Sequence, residues 1–162
     1  MMLLAIDPGA KGGHTGIVLL SVPEDKPAQL AESWAIPGGV GPMLDWLTKD
    51  CIAALLNGVG VVVIEHFVSP RQGGINIEPA YVEGAIQGYL RSFWGDDQDV
   101  VLSPAAGKNT AVPDHAMDRA GFPKSLFKGD HHNDRWEALR HALWYLKRTD
   151  HRPTLLAMFP NV

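Results

Sequence analysis

Two short apolar runs open the chain, residues 3–7 (LLAID) and 15–21 (TGIVLLS), with glycines between them. Runs of this length, bounded by Gly and Pro, predict the two strands of a hairpin. A PEDKP turn over 23–27 leads to a third predicted strand at 29–36, and 37–42 reads as a loop. The period then changes. Leu44, Leu47, Cys51, Ala54 and Leu55 fall on one helical face, with Asn57 and Gly58 as its stop signal. VGVVVIE at 59–65 is β-branched and apolar on both faces, as in a strand covered on both sides. After a glycine-containing loop at 69–76, Val82, Ala85, Ile86, Tyr89, Leu90 and Phe93 return to helical spacing. Ala80, Gly84 and Gly88 make a second stripe on that helix. Glycine inside a helix costs about 1 kcal/mol against alanine, so the stripe predicts close packing on a sheet or on a partner subunit. A fifth strand at 99–103, a loop carrying Lys108 and a short helix at 114–120 follow. The last long helix is predicted from about 132 to 147, burying Trp136, Leu139, Leu143 and Leu146.

The element order is β-β-β-α-β-α-β-(α)-α. Three meandering strands followed by βα units predict an α/β fold, a mixed five-stranded sheet flanked by helices. That order is similar to ribonuclease-H-like (RNase H-like) folds. Open α/β sheets place their sites at the C-terminal ends of strands. Asp7 closes the first strand and Glu65 the fourth, so parallel neighbours there would bring two carboxylates to one sheet edge.

Composition narrows the class. The 162 residues are 46% hydrophobic and 20% charged, globular values that predict one domain over 1–162. No apolar run approaches the roughly 18 residues of a membrane span. The start, MMLLAID, has no basic leader, and Cys51 is the single cysteine, so a soluble, cytoplasmic protein is expected. Net charge is -4 but uneven. Residues 1–118 hold six basic and fourteen acidic residues, while 119–162 hold eight basic and four acidic. The basic C-terminal quarter fits phosphate contact, with Arg140 and Lys147 among the candidates; a solvated helix face fits equally.

Each acid alone has an ordinary reading. An Asp before Pro-Gly forms turns, and the loop of Gly9, Gly12, Gly13 and Gly16 would also suit a phosphate. The segment GDHHNDRWEALRHALWYL adds His131 and Asp134, three apart at a helix start and on one face. Asp130 or Asn133 as a helix cap explains part of that pattern. Together, two strand-end carboxylates and an H-x-x-D pair supply oxygen donors and an imidazole. Such a set suits Mg2+ and would accept Mn2+. Two such ions about 4 Å apart support phosphodiester hydrolysis.

AIDPG, TGIVLL, VVVIE, the helix with Gly84 and Gly88, SPAAGKNTAV and HHND, in this order across nearly the whole chain, resemble the RuvC family of Holliday junction resolvases. The H-x-x-D ending also resembles the RuvC-type nuclease domain of CRISPR effectors. The resemblance implies two metal ions held by Asp7, Glu65, His131 and Asp134, with Lys108 as a catalytic cation near the scissile phosphate. It further implies a homodimer acting on four-way and other branched DNA, with Phe67, Arg71, Lys108, Lys124, Lys128 and Arg135 as DNA contacts. Phe67 lies two residues after Glu65 where the family often has an aromatic at three, and the PRQGGIN loop and Arg135 also depart from the family pattern. The short, divergent chain resembles phage-encoded members, which would place it in a host cytoplasm.

Other readings stay open on the sequence. An actin-like ATPase shares a D-x-G hairpin but needs two such domains and a second phosphate loop, whereas this chain shows a single such loop. A non-catalytic binding module, or a related nuclease acting on RNA–DNA hybrids or unbranched DNA, uses the same acids differently.

Overall fold

The apolar runs flanking the N-terminal glycines pair as β1 (Met2–Asp7) and β2 (His14–Ser21), an antiparallel hairpin with Asp7 opposite Gly16. β3 (Gln29–Pro37) pairs antiparallel with β2. On the other side of β1, β4 (Val59–His66) and β5 (Asp99–Pro104) add in parallel. The result is one five-stranded mixed sheet of order β3-β2-β1-β4-β5. Parallel neighbours need crossover connections. These are α1 (Val40–Leu47) and α2 (Asp50–Leu56) before β4, and α3 (Glu78–Trp94) before β5. The C-terminal part adds α4 (Lys108–Ala111), α5 (Asp114–Arg119), a 3-10 turn (Lys124–Phe127), α6 (Asp134–Arg148) and α7 (Arg152–Met158). This computed structural model describes residues 1–67, 77–95, 99–105, 107–127, 129 and 133–161. No described helix is long and apolar enough to cross a membrane.

Strand alternation sorts the core into two layers. Leu4, Ile6, Ile17, Leu19, Val62 and Ile64 meet Met43, Leu47, Ile86 and Leu90 of α1 and α3. Leu3, Ala5, Val18, Leu20, Val61 and Val63 meet Trp136, Leu139, Leu143 and Leu146 of α6. One more step of the alternation beyond Ala5, Val63 and Val18 puts Asp7, Glu65 and Gly16 on the α6 face. The hydrophobic pattern therefore decides which layer receives the carboxylates.

Three expectations change. The single helix expected between β3 and β4 is two, broken at Thr48 and Lys49, where Lys49 turns extended and Thr48 donates to the Leu44 carbonyl. The break resets the helical phase, so Ile52 and Leu56 are buried while Cys51 and Ala54 are exposed. Gly84 and Gly88 face open space, with nothing within 4 Å of an added Cβ, so sheet packing does not explain the small-residue stripe. α7 was not foreseen. Its buried Thr154 accepts from the Ala28 amide at 2.9 Å, and His151 donates to the Pro23 carbonyl at 2.8 Å, tying the C-terminal region to the β2–β3 turn.

Candidate metal centre

β1 and β4 run parallel with Ile6 beside Ile64, so the residues that follow, Asp7 and Glu65, leave the sheet side by side. α6 closes over them because Gly16 lets it. A Cβ at Gly16 would lie 2.0 Å from the Asp134 carbonyl oxygen. Only a bare Cα admits the first turn of α6 this near the sheet. From that turn, Asp134, Glu137 and His141 follow at i, i+3 and i+7, one stripe of the helix.

Among the described residues, Asp7, Glu65 and His141 offer ligand atoms that all lie within 4.8 Å of one another. His141 is fully buried, with Nδ1 2.6 Å from Ser103 Oγ and Nε2 3.6 Å from Glu65 Oε1. Lys108, also buried, places Nζ 3.0 Å from Glu65 Oε1, 3.3 Å from Glu137 Oε2 and 2.8 Å from His141 Nε2. An ammonium only donates, so Nε2 accepts and the ring proton sits on Nδ1, donated to Ser103. Behind the site, buried Glu83 accepts from the Phe67 amide at 2.9 Å and pairs with His66 at 3.1 Å, fixing the end of β4.

The charges are unequal. Burial, reinforced by the hydrogen bond to Glu65 and its negative charge, holds the Asp7 carboxyl well above the usual range. Burial also opposes ionisation of Glu65, yet the hydrogen bond from Asp7 and the Lys108 charge outweigh it and keep Glu65 ionised far below that range. Burial first, and the Lys108 charge after it, lower His141, although Glu65 pulls the other way. The site is thus crowded acids and a neutral imidazole, an arrangement a cation relieves.

Asp7, Glu65 and Lys108 are therefore brought together in the fold. Asp134 stands at the start of α6 with its carboxylate 3.9 Å from His14 Nδ1. His131 lies outside the described residues, as do Arg71 and Lys128. Glu137 and His141 were missed. Their signal was the D-x-x-E-x-x-x-H spacing of α6, overlooked beside the apolar stripe on the same helix. Of the remaining DNA-contact candidates, Phe67 is half-buried, Lys124 is exposed, and Arg135 lies over the Phe127 ring at 5.6 Å. Arg140 is a correction. It is 3% exposed and bonded to Asp114, Glu137 and the Val112 carbonyl, so its guanidinium is committed inside the fold. Lys147 donates to the Ala111 carbonyl at 2.8 Å.

Three amides of the glycine loop are engaged inside the fold rather than turned to a phosphate. Gly9 donates to Thr15 Oγ1 at 3.0 Å, Lys11 to Glu78 at 2.8 Å and Gly13 to the Ala10 carbonyl at 2.9 Å.

No protein-family model matches the chain, and no curated protein matches it in sequence. Solved structures do match. T. thermophilus RuvC in complex with a Holliday junction substrate superposes with a TM-score of 0.66 at 16% identity, covering 93% of this chain and 98% of that one. A second Thermus thermophilus RuvC structure gives 0.65 at 17% identity, with 93% and 98% covered. The fowlpox virus Holliday junction resolvase gives 0.55 at 13% identity, with 91% and 99% covered. The chain shares the RNase H-like fold of these structures, here a mixed five-stranded sheet flanked by helices.

Proposed function

We propose that this protein is a metal-dependent endonuclease that resolves four-way DNA junctions and related branched DNA by phosphodiester hydrolysis, acting as a homodimer. The observation that carries the reading is the meeting of Asp7 and Glu65, from adjacent parallel strands, with His141 and Lys108 in one pocket of charge. The shared fold with a RuvC solved on a Holliday junction substrate supports the substrate class.

The donors fit hard divalent ions: carboxylates and an imidazole with ligand atoms within 4.8 Å, the set that Mg2+ and Mn2+ accept. Asp7, Glu65 and the α6 donors Asp134, Glu137 and His141 would hold them, with His131 as the further candidate from the sequence. When bound, two such ions supply Lewis acidity and an activated water. The chain does the rest. Ser103 holds the His141 tautomer whose Nε2 faces the site, and Lys108 offers positive charge to the phosphate. Phe67, Arg71, Lys124, Lys128 and Arg135 are proposed to meet the DNA around it. Exposed Tyr81, Gly84 and Gly88 on α3 support a face open to a second copy.

The purified protein in Mg2+ or Mn2+ is expected to cut a four-way junction in preference to flap, RNA–DNA hybrid and linear duplex presented in parallel. Asp7→Asn and Glu65→Gln should abolish cutting while far-UV circular dichroism stays unchanged. Full cutting by both variants would remove the site assignment. Preference for the hybrid would keep the chemistry and replace the substrate.

A further inference from the structure

We infer that Lys108 is the resident cation of the metal centre and that a divalent ion loads only by displacing it. The inference rests on the metal-dependent reading above and concerns what this chain's residues do before the ion arrives. The ammonium has three N–H donors, and three acceptors lie within reach: Glu65 Oε1 at 3.0 Å, His141 Nε2 at 2.8 Å and Glu137 Oε2 at 3.3 Å. Two of these belong to the residues whose ligand atoms cluster within 4.8 Å. The decisive atom is His141 Nε2. A neutral imidazole has one lone pair, and because Nδ1 carries the proton donated to Ser103 at 2.6 Å, that lone pair is on Nε2. It either accepts from Lys108 or ligates a metal, never both.

Burial makes the choice consequential. Lys108 is 8% exposed, so its charge is held by these partners rather than by water. In the metal-free protein the ammonium keeps the Glu65 and Glu137 carboxylates from repelling each other and holds the imidazole in place. When the ion takes those acceptors, the ammonium is expelled on a flexible four-carbon stem beside the site. There it is available to a phosphate oxygen. Loading of metal and presentation of the phosphate-binding cation thus become one event, and the metal-free protein withholds Lys108 from DNA.

Reductive methylation of lysines, read residue by residue by mass spectrometry on the wild-type protein without DNA, measures the displacement directly. Saturating Mg2+ or Mn2+ is expected to raise labelling at Lys108 several-fold and to leave exposed Lys26 unchanged. Lys108→Met keeps the stem without the charge, and its calorimetric Kd for Mn2+ should fall roughly tenfold or more, the scale of one unit charge at such a distance. Metal binding that leaves Lys108 as protected as before overturns this inference and spares the nuclease reading. An unchanged Kd in Lys108→Met does the same. Failure of wild type and variant alike to bind either metal overturns both.

Discussion

Replacing Gly16 by alanine adds one methyl where α6 closes on the sheet. The new Cβ would lie 2.0 Å from the Asp134 carbonyl oxygen and 2.7 Å from the Arg135 amide nitrogen. Both are backbone atoms, so no side chain can swing aside, and the first turn of α6 must rise. Overpacking of this kind costs about 1–3 kcal/mol. The same lift carries Asp134, Glu137 and His141 away from Asp7 and Glu65, and a misplacement of about 1 Å costs on the order of 100-fold in rate. Gly84→Ala is the matched control. A Cβ there meets nothing within 4 Å, and the helix should gain up to about 1 kcal/mol. Urea unfolding gives the two stabilities, and junction cutting in Mn2+ gives the two rates. Opposite signs of stability change, with cutting lost in Gly16→Ala alone, are expected. A Gly16→Ala protein as stable and as active as the parent would refute the close-approach argument.

Ser103→Ala releases the His141 tautomer by removing the acceptor for Nδ1–H. Mn2+ affinity should weaken roughly 10–100-fold by calorimetry, with a stability loss near 1 kcal/mol. Thr154→Val removes the acceptor for the Ala28 amide and should cost about 1–3 kcal/mol in urea unfolding. The hydrogen bond from Arg140 holds the Asp114 carboxyl below its ordinary value. A depressed carboxylate stabilises the fold above the unfolded pKa, near 3.9, and that contribution disappears as pH falls through the folded value. Because the Asp114 side chain is 65% exposed, screening keeps the contribution below about 1 kcal/mol. Asp114→Asn should therefore lower stability slightly at neutral pH and converge with the parent in acid unfolding curves.

Local periodicity made much of this protein legible without its structure. All five strands, the α/β class and the buried stripe of α6 follow from spacing along the chain, because alternation and the 3.6-residue period are local consequences of burying one face. The same alternation assigned Asp7 and Glu65 to one edge and one layer once their strands were neighbours. Other features depend on residues far apart in sequence. The break between α1 and α2 resets a phase that the apolar pattern alone carries through. α7 is too short to announce itself and is held by Thr154 and His151 against the β2–β3 turn. Glu137 and His141 become site residues only because Gly16 admits α6 against the strand that carries Asp7's partner. Lys108 stands out in the sequence only through the family resemblance, and the three acceptors around it come from elements that the fold gathers. The sequence by itself determined where the hydrophobic layers lie, since that needs only neighbours along the chain. Tertiary structure alone decided which polar groups meet between the layers, since a hydrogen bond or a shared cation is set by distances across the fold.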